Sequence, residues 1–496
     1  MLAILLGVIL ILYLGFLVFS RRGLGPLPPG PHGLPVLGCI PYISATTAHL
    51  TVEKWCRKYG SLLSFYMGST LVVVLGDCNT VREAFLKNGD AFNGRSVIRA
   101  FRAKGITLGI GLTGAEGDLW REQRRFCLKI LKDFGAGRSS LEPKIKYETR
   151  VLCEEIANHK KQPFDIEPYL HYAVANIIVQ FVFGRRFDYD DPVYIDYLAT
   201  ITYRLCHSGV NGFSAFNFLP WLLKLPGHQN AKKVATDGVQ VLRFLQQCIN
   251  EKRRQLEFSS GSEDPSVDYV SAFFKARESG DGQYFHDDQL LISVQQLFIA
   301  GSETTATTLR WALWHLCRYP ECQERIHQEI AKVTCAGNSG EVTWADRVQM
   351  PYTEATICEV ERIYTVFPFS VTHRTLTDVR LKGYSIPKDA YVIPLVWAVH
   401  RDPAYFPDPD QFRPERFLDS EGKLIKNPSF LPFGIGPRTC LGESLARMEV
   451  FIFLTALVQH FRFRFFSAQV PSKADTAVGV VISPSSFDVL AESRTA

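Results

Sequence analysis

The first nineteen residues form an uncharged apolar run from Met1 to Phe19, closed by Ser20-Arg21-Arg22. As a helix this run rises about 28 Å, enough to cross a thin bilayer. The arginines behind it place the rest of the chain on the cytosolic side. A cleaved signal peptide is the rival, but a basic start and a small-x-small cleavage site are missing. Pro26-Leu27-Pro28-Pro29-Gly30-Pro31 then gives a stiff, extended hinge. Over residues 61–75 apolar and small polar positions alternate and end in Leu71-Val72-Val73-Val74-Leu75, which predicts a small β-meander. From residue 118 the spacing changes to three and four, and most of the chain reads as helix. The longest helix runs from about Asp288 to Tyr319, capped by Asp287 or Asp288 and stopped by Pro320. At roughly 30 residues it is about 45 Å long. Another starts ahead of Leu445 and carries Met448, Phe451 and Ile452. Residues 213–226 are aromatic and broken by prolines, which fits core or a surface dipping into a membrane interface. Residues 258–267 read as a loop.

These elements predict a mainly α fold with small β-sheets (α+β): an anchor over 1–20, a hinge over 21–38 and one body over 39–496. Composition agrees with a packed body. Of the 496 residues 46% are hydrophobic and 21% charged, and no repeat or linker divides the chain. A net charge of +5 is too slight for a broad nucleic-acid surface. The twelve cysteines show no disulfide or zinc spacing, and there is no glycosylation sequon. Cys39, Cys56, Cys78, Cys127 and most others read as small buried hydrophobes in a reducing compartment.

One cysteine has a chemical context: Phe433-Gly434-Ile435-Gly436-Pro437-Arg438-Thr439-Cys440-Leu441-Gly442. The glycines allow a tight loop that approaches a flat ligand closely. Thr439, Leu441 and their neighbours can aim N–H groups at the sulfur, and a helix begins directly after it. Both effects favour thiolate over thiol. A thiolate held this way suits haem iron and favours O–O cleavage. The plainer reading is a buried free cysteine in a turn, yet the six specified positions coincide by chance in about one in a hundred million windows. The stretch strongly resembles the haem-binding motif of the cytochromes P-450.

Further motifs lie in the order that family keeps. The resemblance covers essentially the whole chain, from the apolar start and proline hinge onward. Trp120 and Arg124, at i and i+4, resemble the helix that serves a haem propionate. Arg121, Arg125, Lys129 and Lys132 on the same helix are either a solvated face or a docking surface for an acidic electron donor. Ala300-Gly301-Ser302-Glu303-Thr304-Thr305 looks like a strained, polar break in an apolar helix, since mid-helix Gly costs on the order of 1 kcal/mol and Thr hydroxyls compete for carbonyls. It resembles the family's oxygen-activation groove: Thr304 and Glu303 would be the catalytic alcohol and proton relay, with Ala300 against the haem face. Glu359 and Arg362, at i and i+3, would form a buried structural network with Arg416 of Phe412-Arg413-Pro414-Glu415-Arg416-Phe417. By position, His373 and Arg438 would bind haem propionates. Leu131-Lys132-Asp133-Phe134-Gly135, the stretch Phe183 to Tyr189, and Cys440-Leu441-Gly442-Glu443 look like microsomal family 2 members. Pro437 departs from the basic residue many relatives carry there.

The resemblance implies haem b held by Cys440 and insertion of one atom of O2 into a hydrophobic substrate. Electrons would come from NADPH through a flavoprotein, the NADPH–cytochrome P-450 reductase, with cytochrome b5 as an auxiliary. The lack of a Rossmann fingerprint agrees with an external donor. The implied location is the endoplasmic reticulum membrane, in contact with its lipid. Phe101, Ile106, Phe213, Phe216, Phe298, Val366, Phe369, Val371 and Val480, carried over by position, would line an apolar pocket. They do not separate a xenobiotic from a fatty acid or a steroid. Two other readings remain: a haem-thiolate isomerase that needs no reductase, and a non-catalytic haem carrier or gas sensor. Neither needs the acid–alcohol pair.

Overall fold

A computed structural model describes Gly7 and residues 25–44, 46–95, 109–206, 215–219, 221–222, 229–258, 268–280, 283–336, 340–466 and 476–494. The expected anchor, apart from Gly7, and the expected loop beyond Phe258 lie outside the described residues. Among the described residues no helix is long and apolar enough to cross a membrane.

The proline-rich stretch is fastened to the body. Ser64 donates from N to Pro29 O (2.9 Å) and from Oγ to Pro28 O (2.7 Å), and Ser385 N donates to Pro26 O (2.9 Å). Proline has no N–H to give but its carbonyl still accepts, so the stretch runs along the sheet as a strap. Helix α1 (Ala48–Tyr59) precedes the hairpin of β1 (Leu62–Met67) and β2 (Thr70–Leu75). With β3 (Gly94–Arg95), β4 (His373–Arg374) and β5 (Tyr391–Pro394) they form one sheet of order β1-β2-β5-β4-β3. The valine run explains its stability. Val72 and Val74 join one apolar cluster with α1, while Val73 and Leu75 join another with Val81, Phe85 and Phe92. A strand covered on both sides reads as continuous apolar sequence.

The helical body contains α2 (Gly117–Phe134), α3 (Glu142–Asn158), α4 (Glu167–Phe183), α5 (Pro192–Cys206), α6 (Gln229–Phe258), α7 (Asp287–Arg318), α8 (Pro320–Ala336), α9 (Pro351–Tyr364) and α10 (Glu443–His460). Helix α4 is apolar almost all round, as a central helix must be. It crosses α7 at Gly301, where an added Cβ would lie 2.4 Å from Ile178 Cδ1. This corrects the expected strained break. Helix α7 is continuous from Asp287 to Arg318, and Gly301 provides close packing. The hydroxyls of Ser302, Thr304 and Thr308 donate to the carbonyls four residues back, at 2.6, 2.7 and 2.9 Å, without opening the helix. The N-cap also differs: His286 Nδ1 accepts from Gln289 N, while Asp287 pairs with Arg253 and Arg277.

Candidate active site

The cysteine loop owes its shape to two glycines in left-handed conformation, Gly434 (φ 74°) and Gly436 (φ 85°). A Cβ at Gly436 would fall 2.5 Å from Phe85 O, so this turn needs glycine. Thr439 N donates to Gly436 O (3.1 Å) and Cys440 N to Phe433 O (3.0 Å). Helix α10 starts directly behind, with Gly442 as N-cap. The amides that favour a thiolate at Cys440 are those of Gly442 and Glu443, at the start of this helix. Thr439, expected to share that task, spends its N–H inside the loop. Burial pushes the Cys440 thiol up, while the two amides and Arg124 pull it down. Cys440 itself is exposed in this loop.

Helix α7 is buried along most of its C-terminal half, but Ala300 is exposed and Thr304 half-exposed. These residues, one turn apart, leave a bare stripe on a core helix. Glu303, its neighbour in sequence, is fully buried. Consecutive residues lie about 100° apart on a helix, so its carboxylate leaves from another face than Thr304. It meets Thr307 Oγ1 (3.3 Å), Thr202 Oγ1 (3.4 Å) and His171 Nδ1 (3.6 Å).

Three guanidiniums converge beside the loop. Arg438 donates to Asn93 Oδ1 (2.9 Å) and Ala115 O (2.7 Å), and its Cζ lies 4.0 Å from the Trp120 ring centre. Arg124 donates to Thr439 O (2.9 Å). Arg95 donates to Val371 O (2.9 Å) and Thr372 O (3.3 Å). Burial and mutual repulsion lower Arg95 to about 9 and Arg438 to about 10, against the pull of Glu116. Among the described residues, Arg95 Nε and Arg438 Nη1 are buried without a hydrogen-bond partner. His373 holds its ring with Nδ1 2.8 Å from Phe92 O, tilted against Phe85. Unused donors and surplus positive charge make a site for a dianion, and the two carboxylates of haem b fit it. With Cys440 and the bare α7 stripe, the residues present suit that cofactor.

Glu359 and Arg362, both fully buried, form a fork at 2.7 and 2.8 Å. Arg416 Nε and Arg413 N also donate to Glu359 Oε1, at 3.0 and 2.9 Å. Arg362 Nη1 reaches His400 O (2.9 Å), tying α9 to the segment after β5.

The expected pocket walls divide. Phe101, Ile106 and Phe213 lie outside the described residues. Val366, Val480 and Phe216 are half-buried, and Val371 is 39% exposed beside Arg95. Phe298 is fully buried against Phe183 and Tyr197, about 200° round α7 from Ala300. Phe369 packs into the apolar cluster of the sheet, with His49 nearby. Sequence reading missed Arg95, which no spacing rule marks. It also missed Glu449, a buried acid on α10 that is hydrogen-bonded to Thr305 and pushed well above the carboxylate range by burial. A lone acid inside the apolar run Met448 to Leu454 was its available signal.

A cysteine loop at a helix start, beside arginines with buried and unused donors, defines the site of a haem-thiolate protein. The family model described as "Cytochrome P450" matches residues 28–491. The chain belongs to the cytochrome P-450 family: it is a monooxygenase, with haem as cofactor and O2 and NADPH-derived electrons as cosubstrates. It is 35% identical to "Cytochrome P450 2U1" of Bos taurus over 494 residues, covering 94% of this chain and 89% of the relative. To "Cytochrome P450 2B4" of Oryctolagus cuniculus it is 36% identical over 464 residues, 93% and 92% of the two chains. To "Cytochrome P450 2K4" of Oncorhynchus mykiss it is 34% identical over 505 residues, 99% and 97%.

Proposed function

We propose that this monooxygenase oxidises a hydrophobic xenobiotic, fatty acid or steroid, and receives its electrons singly from a membrane flavoprotein reductase. When bound, the haem supplies O2 binding and oxygen-atom transfer. Cys440 would hold its iron as thiolate, a form that the Gly442 and Glu443 amides and Arg124 favour against burial. Trp120, Arg95, Arg124, His373 and Arg438 would hold the carboxylates of the haem. Thr304 donates to Ala300 O and leaves its oxygen lone pairs toward the bare stripe, where the hydroxyl holds and passes a proton. Glu303 takes up protons on the far side and turns to deliver them. Glu359, Arg362 and Arg416 fix the segment behind the cysteine loop. Val366, Val371, Phe216 and Val480 would line an apolar chamber that admits substrate and limits water, while the expected walls Phe101, Ile106 and Phe213 lie outside the described residues.

Residues 1–20 anchor the enzyme in the endoplasmic reticulum membrane with the body, 39–496, in the cytosol. Arg121, Arg125, Lys129 and Lys132 make the docking face for the reductase, with cytochrome b5 as a second user.

The observation that carries this reading is the placement of Cys440 at the start of α10, beside the arginine cluster. The test is a reduced, CO-bound difference spectrum, followed by NADPH consumption with purified reductase and candidate substrates. A strongly red-shifted Soret band with substrate-dependent product supports it. An ordinary haem–CO band from folded protein defeats the thiolate assignment, and product formed without reductase defeats the electron route.

A further inference from the structure

His171 on α4 is enclosed by protein, and its Nε2 is buried with no hydrogen-bond partner among the described residues. Its Nδ1 faces Glu303 Oε2 at 3.6 Å. The Thr202 hydroxyl of α5 lies 3.4 Å from this Nδ1 and 3.4 Å from the same carboxylate oxygen, so it bridges the two. On the other side of the ring, Nε2 stands 4.0 Å from Glu167 Oε1. Glu167 lies one turn earlier on α4, is 21% exposed, and is clamped by Arg310 at 2.9 and 2.7 Å. Glu167, His171, Thr202 and Glu303 therefore form a line from solvent to the acid beside Thr304. Haem binding does not require this line.

We propose that His171 is the positioning and proton-feeding residue for Glu303, drawing on solvent through Glu167. The ring accepts a proton at Nε2 and releases the one on Nδ1 to the Thr202 oxygen, and Thr202 gives its own proton to Glu303. One proton moves inward, no electron is transferred, and a half-turn of the ring restores the first tautomer. A small rotation of Glu167 closes the 4.0 Å gap. The charged groups around the ring are Glu303 and Arg310 from α7, Glu167 on α4 and Asp165 just before it. Burial and Arg310 hold the imidazole below its usual range, against Glu303 and Asp165. It is thus neutral at pH 7 and free to accept. The inference rests on Glu303 being the acid that supplies Thr304.

The test uses full-length holoenzyme with reductase and compares His171→Phe, Glu303→Gln and Thr202→Val. His171→Phe should keep the CO-difference band and thermal midpoint. It should lower product formed per NADPH about ten-fold and raise the solvent deuterium isotope effect on product formation, as loss of a proton donor does. An infrared carboxyl band, assigned by its loss in Glu303→Gln, should shift in His171→Phe without any turnover. Thr202→Val should act in the same direction and serves where the Phe variant misfolds. If Glu303→Gln collapses coupling while His171→Phe and Thr202→Val leave coupling, isotope effect and infrared band unchanged, this inference fails alone. A fall in coupling without an isotope or infrared change means packing only and also overturns it. If Glu303→Gln itself has no effect, the assignment of Glu303 falls with it.

Discussion

Arg95 and Arg438 share Glu116 as their acidic neighbour, and among the described residues one nitrogen of each is buried without a hydrogen-bond partner. Replacing Arg95 by leucine should have opposite effects with and without haem. Apoprotein should keep or gain thermal stability, because a repelled buried charge is gone. Holoenzyme should lose haem to a globin acceptor about ten- to a hundred-fold faster, as expected for one charged hydrogen bond of roughly 1.5–3 kcal/mol. An unchanged haem-loss rate would remove Arg95 from the site. Thr304→Ala should leave the CO-difference band in place and lower product per NADPH several-fold, while O2 consumption continues; equal coupling in both enzymes would reject its role. Cys440 was readable in sequence because its loop fixes six positions at once. Arg95 was not, because it reaches the site through β3 pairing with β4, far away in the chain. Glu303 was readable as an acid but not in direction: sequence places it beside Thr304, while the helix turns it away.

Helix α9 carries two adjacent lessons in its Glu359-Val360-Glu361-Arg362 turn. Glu359 to Arg362 follows from i,i+3 spacing, whereas its closure by Arg416 and Arg413 depends on a segment some fifty residues later. Glu359→Gln should destabilise the fold by about 3–5 kcal/mol, since Arg362 and Arg416 would lose their buried counter-charge. Denaturant titration of the holoenzyme, followed by the Soret band, reads this directly. Glu361 behaves oppositely. Burial raises it to about 7, against Arg447 and with the help of Glu354 and Glu443. The folded state therefore binds this proton more tightly than the unfolded chain. Its stabilisation is fully present below about pH 4.5 and is lost as pH rises through about 7. Thermal scans of wild type and Glu361→Gln should diverge across this window, with wild type losing the more on going from pH 5 to 8; parallel curves would count against the shift. Sequence showed Glu361 as one more helix acid, and only its burial against α10 reveals the difference.

For the molecule as a whole, pattern gave the mainly helical body, the hairpin and the long α7, because periodicity reports which face is covered. It did not show that Gly301 seats α7 on α4, or that the proline stretch is strapped to the sheet, since both depend on what lies opposite. The docking face poses the same problem for charge. Arg121 and Arg125 are each paired with an acid one turn earlier, Asp118 and Glu122, both at 2.5 Å. Lys129 and Lys132 are exposed on the same helix. If this face receives an acidic reductase, these lysines supply more of its attraction than the arginines, whose charge is locally offset. Lys129→Glu with Lys132→Glu should raise the KM for reductase about ten-fold at low salt, with a smaller difference near physiological ionic strength as screening shortens the field. The rate at saturating reductase and the CO-difference band should stay as in wild type. Arg121→Glu should have a weaker effect, because Asp118 already cancels much of its field. A double lysine variant with unaltered KM and salt dependence would move the docking face off α2.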